Sequence, residues 1–488
     1  MGRGYEYGYD HNVAAALLTR GEGMKKLIIC FAAAALVFGA SIASAAAAET
    51  FEVSSNTFAV DGMRYRFSER SFTYLNETYI PFDDVLRLFG YSVGWDYEQN
   101  AAVADNGRIR AVIPLGSYSI SINGEEKEYA APTLIFHNLG YISLTQFADL
   151  VPGLELETDA SVKARPAGVR DAMSDISVPF DCRVEENTSA QFGSLWVLNG
   201  EYAFEPVEIS ESGAAEYTSI VNGFGERLPD ANVYNILIPD SYEIYAPERY
   251  STGQLDSMRR VYQGLNENVT PINIVDSLFE KAEEKIYFST DHHWTQRGAY
   301  YAYRAFLDYN DLAIEPLSAF ENVPSDSFTG SFAEELSGIA GAENALNKNT
   351  ETLERFLPIY DTEVNIYLDM ETSLRIGSVP LVNTGNNSYS AFISGDYPLT
   401  VIDSSVGNGR SLVLIKDSFG DAFATWAVNN YSRIYVVDLR GFNGVSGNDH
   451  EFDIAEFYEL TGFDDLIILS YPTSVAAADL RAALAGLL

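Results

Sequence analysis

Histidine is scarce in this chain, which limits where an imidazole can act. Among 488 residues there are five histidines, namely His11, His137, His292, His293 and His450. A base or ligand of imidazole type in the C-terminal two thirds must therefore come from the last three. Two of these, His292 and His293, come one and two positions after an acid, in Asp291-His292-His293-Trp294.

Basic residues are also few, and this excludes one class of partner. The chain carries 31 Lys and Arg against 69 Asp and Glu, for a formal net charge of −38. Nucleic-acid binding needs clustered positive charge, so we expect no nucleic-acid partner. Anionic wall polymers and acidic membranes would also be repelled unless divalent cations bridge the two surfaces.

Cysteine is nearly absent, with Cys30 and Cys182 as the two examples. Cys30 lies in a segment that we expect to be removed, so the mature chain would keep Cys182 alone. An intramolecular disulfide is then impossible. Because no histidine lies near Cys182 in sequence, we interpret it as a small buried hydrophobe rather than a reactive thiol.

The clearest targeting signal lies near the start. Lys25 and Lys26 precede an apolar run from Leu27 to Ala40, and small residues follow it. This pattern predicts a secretory signal peptide over residues 24–48, too short for a confident membrane span. Since such signals begin at the initiator, residues 1–23 are interpreted as an upstream extension. We therefore expect a secreted or cell-surface protein.

An internal repeat occupies residues 51–165. Val60-Asp61-Gly62 recurs as Ile122-Asn123-Gly124, and Tyr79-Ile80-Pro81 recurs at the same spacing as Tyr141-Ile142-Ser143. Each unit predicts a hairpin, a strand and a short amphipathic helix, over 82–90 and 144–151. Two such units can bury each other's apolar faces. A linker is predicted over residues 166–185.

Residues 186–488 predict an α/β domain. Short β-branched runs alternate with helical stretches such as 253–265 and 295–309, and 477–488 predicts a closing helix. The expected fold is a doubly wound, flavodoxin-like parallel sheet. Residues 312–400 are expected to interrupt the sheet and form the substrate side of the cleft. The expected strands are 233–238, 272–275, 412–415, 434–437 and 466–469.

A base and a nucleophile can be proposed from local patterns. In Asp291-x-His293 the carboxylate can accept the Nδ1–H and leave Nε2 free to take a proton. Ser418 follows the buried run 412–415 and precedes a predicted helix over 421–429. Ligands bind at this carboxyl edge of open α/β sheets, and the amides of a helix start can hold an oxyanion.

Other interpretations of the histidine segment stay open. Asp291, His292 and His293 could ligate zinc, but adjacent histidines usually point apart, so we expect no metal site. His293 could also cap the helix that begins near Thr295. His450 lies in a polar turn and is interpreted as a solvated loop residue.

These motifs resemble those of the bacterial DHHW proteins and the related alginate O-acetyltransferases, which are similar to rearranged hydrolases of the SGNH superfamily. The resemblance covers most of residues 185–488. The motifs that carry it are Ile238-Pro239-Asp240-Ser241, Asp291-His292-His293-Trp294-Thr295, Phe328-Thr329-Gly330-Ser331, the stretch from Tyr389 to Pro398, Lys416-Asp417-Ser418-Phe419 and Val437-Asp438-Leu439-Arg440.

The resemblance implies roles for individual residues. Ser418 would be the nucleophile, His293 the base and Asp291 its orienter, with no cofactor. Lys416 stands where the SGNH pattern has glycine, which puts the approach of substrate in doubt.

Three further residues are weaker candidates for the same site. Gly395 would give an oxyanion N–H beside the amide of Ser418. Arg440 would either hold a polymer carboxylate or hydroxyl, or pair with Asp438. Trp294 would line a sugar subsite or belong to the core.

The repeat resembles the copper amine oxidase N-terminal-like domain of exported Gram-positive proteins, and Gly90-Tyr91-Ser92-Val93-Gly94-Trp95-Asp96 fits its helix-to-strand passage. Copper is not expected, because His137 is the only histidine in the segment and cysteine is lacking. A wall-binding role and a spacer role are both open.

The sequence thus predicts an exported serine acyl-transfer enzyme, an O-acetyltransferase or a carbohydrate acetylesterase, acting on a cell-surface or extracellular polysaccharide. The resemblance implies a membrane-bound O-acyltransferase as the partner that supplies acetyl groups. The alternative is a non-catalytic surface protein that binds wall glycan through both domains.

Overall fold

A computed structural model of the chain describes residues 50–488, except 56, 61–62, 68, 97–100, 137–138, 160–161, 163–182, 311 and 349. The predicted extension 1–23, the signal 24–48 and most of the linker 166–185 lie outside the described residues, as do both cysteines. Within the described ranges, no helix has both the length and the apolar character that crossing a bilayer requires.

The repeat region forms three small sheets with two short helices packed on them. The elements are β1 Thr50–Val53, β2 Thr57–Val60, β3 Met63–Arg66, β4 Phe72–Tyr74, β5 Glu77–Pro81, α1 Phe82–Leu88, β6 Ser92–Asp96, β7 Ala101–Asp105, β8 Arg110–Pro114, β9 Ser119–Ile122, β10 Glu125–Glu128, β11 Leu134–Phe136, β12 Leu139–Ser143, α2 Leu144–Leu150 and β13 Glu155–Thr158. The strand orders are β13-β1-β2-β3, β10-β9-β8-β7-β6 and β11-β12-β5-β4.

The two repeats pair with each other through equivalent strands. β5 and β12 are antiparallel neighbours, and Ile80 lies opposite Ile142, its counterpart in the second repeat. Both isoleucines are fully buried in a shared core with the helix residues Val85 and Phe147. The predicted helices after each strand are present, and the two units bury each other's apolar faces.

The C-terminal region is built on one large sheet with helices on both sides. Its elements are β14 Ser189–Phe192, β15 Leu195–Leu198, β16 Tyr202–Phe204, α3 Glu211–Arg227, β17 Asn232–Leu237, α4 Ser241–Tyr245, α5 Gln254–Gly264, β18 Val269–Ile272, α6 Val275–Phe279, α7 Gln296–Tyr309, β19 Ser325–Phe328, α8 Ser331–Gly338, β20 Glu351–Leu353, β21 Thr362–Tyr367, β22 Arg375–Val379, β23 Leu399–Ser404, β24 Ser411–Lys416, α9 Phe419–Ala427, β25 Arg433–Asp438, α10 Ile454–Thr461, β26 Asp465–Ser470, α11 Pro472–Ala476 and α12 Ala478–Ala485.

This sheet is mixed, so the expected parallel sheet is found only in part. Eight strands lie in the order β18-β17-β26-β24-β25-β23-β21-β22. The first five are parallel to one another. The last three run antiparallel to their neighbours. The fold class that the structure supports is therefore mixed α/β.

The five parallel strands are apolar on both faces, as strands between two helical layers must be. In β24, Leu412 and Leu414 enter the core that contains α7 and α9. Val413 and Ile415 enter the core on the opposite face, with α3 and α5. The uninterrupted apolar run that predicted a buried strand thus serves two cores at once.

Two sequence expectations are wrong in detail. Residues 272–275 were expected to be a strand, but β18 ends at Ile272 and Val275 begins α6. Pro271 lies inside β18, which tolerates it as the edge strand of the sheet. Residues 312–400 do not merely interrupt the sheet, because they supply two of its antiparallel strands, β21 and the edge strand β22.

A substitution of Trp426 tests the packing of α9, the helix that follows β24. Its side chain is 1% exposed. It lies against Tyr300, Phe320 and Phe356, with ring centroids 5.0 to 5.7 Å away. We expect Trp426→Ala to lower the free energy of unfolding by about 3 to 5 kcal/mol, through lost burial and a cavity.

Urea unfolding followed by circular dichroism measures this effect. Leu460→Ala is the matched control, because Leu460 is 58% exposed on α10. Its expected change is within about 0.5 kcal/mol. Equal effects of the two substitutions would contradict the packing described.

Candidate active site

The segment that carries Asp291 and His293 is held in a narrow turn before α7. Tyr287 and Trp294 form a β-bridge across it, and the amide of Phe288 donates to the carbonyl of His293 at 3.2 Å. Thr295 ends the turn as the N-cap of α7, and its side chain accepts from the Gly298 amide. The helix cap and the bridge together fix the backbone of the two histidines.

Glu351 fixes the same segment from the other side. Its carboxylate accepts from the amide and hydroxyl of Ser289 at 3.0 and 2.7 Å, and from the amide and hydroxyl of Thr290 at 2.8 and 2.5 Å. One carboxylate therefore satisfies four donors directly before Asp291. No sequence signal had marked Glu351, because it lies in β20, far along the chain.

Asp291 orients His293 as the spacing predicted. Oδ1 accepts from the backbone amide of His293 at 2.8 Å and from Nδ1 at 2.7 Å. Oδ2 accepts from the amide of Ser331 at 2.7 Å. Burial alone would raise the pKa of Asp291, but the neighbouring His293 and, to a smaller extent, His292 and the Ser331 amide hold this pKa well below its usual value.

Ser418 lies at the junction of β24 and α9, and its hydroxyl is in hydrogen-bonding contact with His293. The distance between its Oγ and Nε2 of His293 is 2.7 Å. Asp417 fixes the turn before it, accepting from the Tyr471 amide at 2.8 Å and the Ser474 hydroxyl at 2.7 Å. With Nδ1–H given to Asp291, Nε2 is the acceptor for the serine hydroxyl.

Rings enclose the imidazole of His293, which is 8% exposed. Tyr389 stacks on it with centroids 3.8 Å apart and planes 10° from parallel. His292 also lies 3.8 Å away, and Phe419 lies at 4.8 Å. Tyr389 belongs to a stretch that the sequence had marked, but nothing in the sequence indicated this stack.

Lys416 does not obstruct Ser418, although it stands at the position of a glycine in the SGNH pattern. Its side chain is 1% exposed, and its Nζ lies 2.5 Å from Asp396, 2.6 Å from Asp421 and 3.1 Å from Asp438. Burial alone would lower the pKa of Lys416, but the three acids, Asp421 most strongly, hold it above the usual value. The lysine therefore connects the Ser418 turn to the loop that contains Asp396.

Trp294 and Gly395 do not take the substrate-side roles proposed for them. Trp294 is fully buried and donates its indole N–H to the Phe419 carbonyl at 3.0 Å, so it lines no sugar subsite. The amide of Gly395 donates to the Phe392 carbonyl at 3.0 Å, so it is already used within its own turn.

Arg440 pairs with Asp438, which is one of the two roles proposed for it from the sequence. It makes two hydrogen bonds with Asp438, at 2.8 and 2.7 Å, and also contacts Asp396 at 3.0 Å. His450 is exposed in a loop, as expected.

His292 does not point away from His293, contrary to the geometric argument against a metal site. One potential ligand atom from each of Asp291, His292 and His293 lies within 4.8 Å of the others. Three of the four ring nitrogens are already engaged, however. Both ring nitrogens of His293 contact protein groups, and Nδ1 of His292 lies 2.8 Å from the Ser331 hydroxyl. This engagement fits acyl transfer better than metal ligation.

Comparison with protein families gives two matches. A model described as DHHW protein matches residues 142–437. A model described as copper amine oxidase N-terminal domain matches residues 59–160. Both resemblances inferred from the sequence are thereby confirmed. No curated protein matches the chain.

Solved structures resemble the C-terminal region. A DHHW family protein from Eubacterium siraeum has a TM-score of 0.52 and 23% identity, covering 60% of this chain and 96% of that one. Bacillus cereus PatB1, in a structure with a sulfonyl adduct, has a TM-score of 0.48, 15% identity and coverages of 60% and 99%. The O-acetyltransferase domain of Pseudomonas putida AlgJ has a TM-score of 0.33, 10% identity and coverages of 61% and 98%. The first of these supports the fold.

A substitution at Gly330 tests the close contact between the start of α8 and the segment that carries Asp291. A Cβ at this position would lie 2.1 Å from the Thr290 carbonyl oxygen and 2.7 Å from the Asp291 Cβ. Because the first neighbour is backbone, the two segments would have to separate. We expect Gly330→Ala to lower the free energy of unfolding by about 1 to 3 kcal/mol in urea titrations. Gly338→Ala, with nothing within 4 Å of the added carbon, is the control at the other end of α8. A neutral Gly330→Ala would contradict the close approach.

The lowered pKa of His292 predicts that the stability of the protein falls at acidic pH. Burial, together with the proximity of His293, lowers its pKa to about 3 from the ordinary 6.5. Between these values the unfolded chain binds a proton that the folded protein does not. Protonation thus favours unfolding, and stability is lost as the pH falls. We expect wild type to lose stability relative to His292→Gln between about pH 6.5 and pH 4, measured by urea unfolding. A difference independent of pH would count against this environment of the ring.

Proposed function

This chain belongs to the DHHW protein family, and from that premise we propose that it is an exported serine acyl-transfer enzyme. The proposed reaction moves an acetyl group from an ester to a sugar hydroxyl, as an O-acetyltransferase, or to water, as an acetylesterase. The proposed substrate is a cell-surface or extracellular polysaccharide. The single observation that carries the proposal is the continuous chain Asp291–His293–Ser418, in which both links measure 2.7 Å.

In the first half of the proposed reaction, Ser418 Oγ attacks the ester carbonyl while its proton moves to His293 Nε2. The imidazolium that forms is stabilised by Asp291, whose lowered pKa keeps it ionised. The tetrahedral intermediate then collapses. The bond to the leaving oxygen breaks, and that oxygen takes the proton from His293, which leaves an acetyl ester on Ser418.

In the second half, an acceptor hydroxyl gives its proton to His293 Nε2 and attacks the acetyl carbonyl. The bond from carbonyl to Ser418 Oγ breaks, and Oγ recovers the proton. Sugar and water follow the same path, so the acceptor that the site holds decides between transfer and hydrolysis.

Negative charge on the carbonyl oxygen develops beside the start of α9. The amides of Phe419 and Gly420 already donate to Asp417, at 3.2 and 2.9 Å. We therefore assign the oxyanion contact to the amide of Ser418, supported by the dipole of the nine-residue helix α9.

The setting of the reaction is part of the same proposal. The acetyl donor would be provided by a membrane-bound O-acyltransferase, and the N-terminal repeat region would keep the enzyme near its polysaccharide. The charge of −38 favours a polysaccharide that is not itself anionic.

The triad predicts a specific pattern of lost activity. With p-nitrophenyl acetate as substrate, we expect Ser418→Ala and His293→Ala to reduce kcat/KM at least about a thousandfold, because the residues act as one unit. Ser327→Ala and His450→Ala are matched controls at exposed positions and should retain wild-type rates. Equal background rates in wild type and both triad variants would instead support the non-catalytic, glycan-binding alternative.

A further inference from the structure

His292 lies beside the base but has no part in the mechanism above. Its side chain is 32% exposed, whereas those of Asp291 and His293 are 6% and 8% exposed. Phe332, Phe419 and Tyr471 surround it, with ring centroids 6.0 to 6.1 Å away. A polar, partly exposed ring thus stands among largely apolar walls directly next to His293.

His292 borders the solvent-facing side of the Ser418–His293 pair. Asp291 occupies Nδ1 of the His293 ring, and Ser418 lies at Nε2. Tyr389 stacks on the ring with centroids 3.8 Å apart, and His292 lies at the same centroid distance. Asp291, Tyr389 and the neighbouring Phe419 are buried, whereas His292 and Ser418 are partly exposed. A hydroxyl that enters from solvent to meet Nε2 and Ser418 therefore comes in beside His292.

The state of His292 suits contact with a hydroxyl. Its Nδ1 is fixed by the Ser331 hydroxyl at 2.8 Å, which leaves Nε2 for a ligand. Burial and the nearby His293 lower the pKa of His292 to about 3, so the ring is neutral at physiological pH. A neutral imidazole does not oppose the positive charge that forms on His293, yet it still hydrogen-bonds with an alcohol.

We propose that His292 binds the acyl acceptor, through a hydrogen bond between its Nε2 and a hydroxyl adjacent to the one that reacts. The acceptor class is therefore a vicinal diol of a sugar, with one hydroxyl on His293 and its neighbour on His292. This inference rests on the proposed function and adds the acceptor to it. In the transfer step the reacting O–H gives its proton to His293, its oxygen bonds to the acetyl carbon, and Ser418 leaves with that proton.

The test separates the two halves of the reaction. Stopped-flow release of p-nitrophenol from p-nitrophenyl acetate reports acylation of Ser418. Product analysis with methyl α-D-glucopyranoside, and with cyclohexanol as an alcohol lacking a second hydroxyl, reports transfer. We expect wild type to acetylate the glucoside in preference to cyclohexanol.

The variant His292→Phe keeps a ring and removes both nitrogens. We expect its transfer to the glucoside, relative to hydrolysis, to fall about five- to tenfold, the effect of one lost hydrogen bond. Acylation should change less than about threefold, and transfer to cyclohexanol should be affected no more than acylation. His292→Gln, whose amide can reach the position of Nε2, should recover part of the transfer to the glucoside.

Other outcomes overturn the inference. If acylation and transfer fall together, His292 acts by holding His293. If neither changes, or if wild type transfers nothing to the glucoside, His292 holds no sugar acceptor. If His292→Phe does not fold by circular dichroism, His292→Ala takes its place, with the same expected loss of transfer to the glucoside. An unchanged ratio of transfer to hydrolysis in that variant, or an equal loss of acylation and transfer, would overturn the inference. If the proposed acyl-transfer activity itself is wrong, the result is different. Wild type would then show no release of p-nitrophenol that depends on Ser418.

Discussion

The complete pairing of one buried carboxylate, that of Asp291, is the constraint on which the site depends. A buried charge is tolerated only when hydrogen bonds and an opposite partner replace its water. Asp291 meets this condition with two bonds to His293 and one to the Ser331 amide. The last bond requires that α8 start in contact with the histidine segment, which Gly330 permits because it has no Cβ. Gly330 and Ser331 thus contribute to the site by supporting Asp291, Gly330 by permitting the close approach and Ser331 by donating its amide.

A second buried charge, that of Lys416, supports the turn that carries Ser418. Lys416 connects the Ser418 turn to the Asp396 loop and to the end of β25, where Arg440 continues the network. Burial raises the pKa of Asp421 to about 8, and the nearby Lys416 opposes this shift. Lys416 and Arg440 face the carboxyls of Asp396, Asp421 and Asp438. Because Lys416, Asp421 and Asp438 are buried, this network joins the Ser418 turn to the Asp396 loop from inside the fold.

What the sequence could predict depended on whether the signal was local. The pairing of Asp291 with His293 follows from a two-residue spacing, and β24 follows from a continuous apolar run. The meeting of His293 and Ser418 needed the family resemblance in addition. Of the two places proposed for Trp294, the core is the one found, and its burial depends on distant segments. The amide of Gly395 is paired within its own turn, a local contact that the sequence did not signal. The antiparallel edge was missed because strands β21 and β22 lie in a stretch interpreted as an insertion. Glu351 and Tyr389 act entirely through tertiary contacts.

The order of strands explains why a serine late in the chain meets a histidine that precedes it. Counted from β24 through β25 and β26 and then back to β17 and β18, the five parallel strands lie in the order 2-1-3-4-5. In that count Ser418 follows the first strand, and the segment of Asp291 and His293 comes after the last. Parallel strands end at one edge whatever their place in the chain, so their following loops meet there. The geometry of that edge, rather than the order of the residues in the sequence, therefore brings Asp291, His293 and Ser418 together.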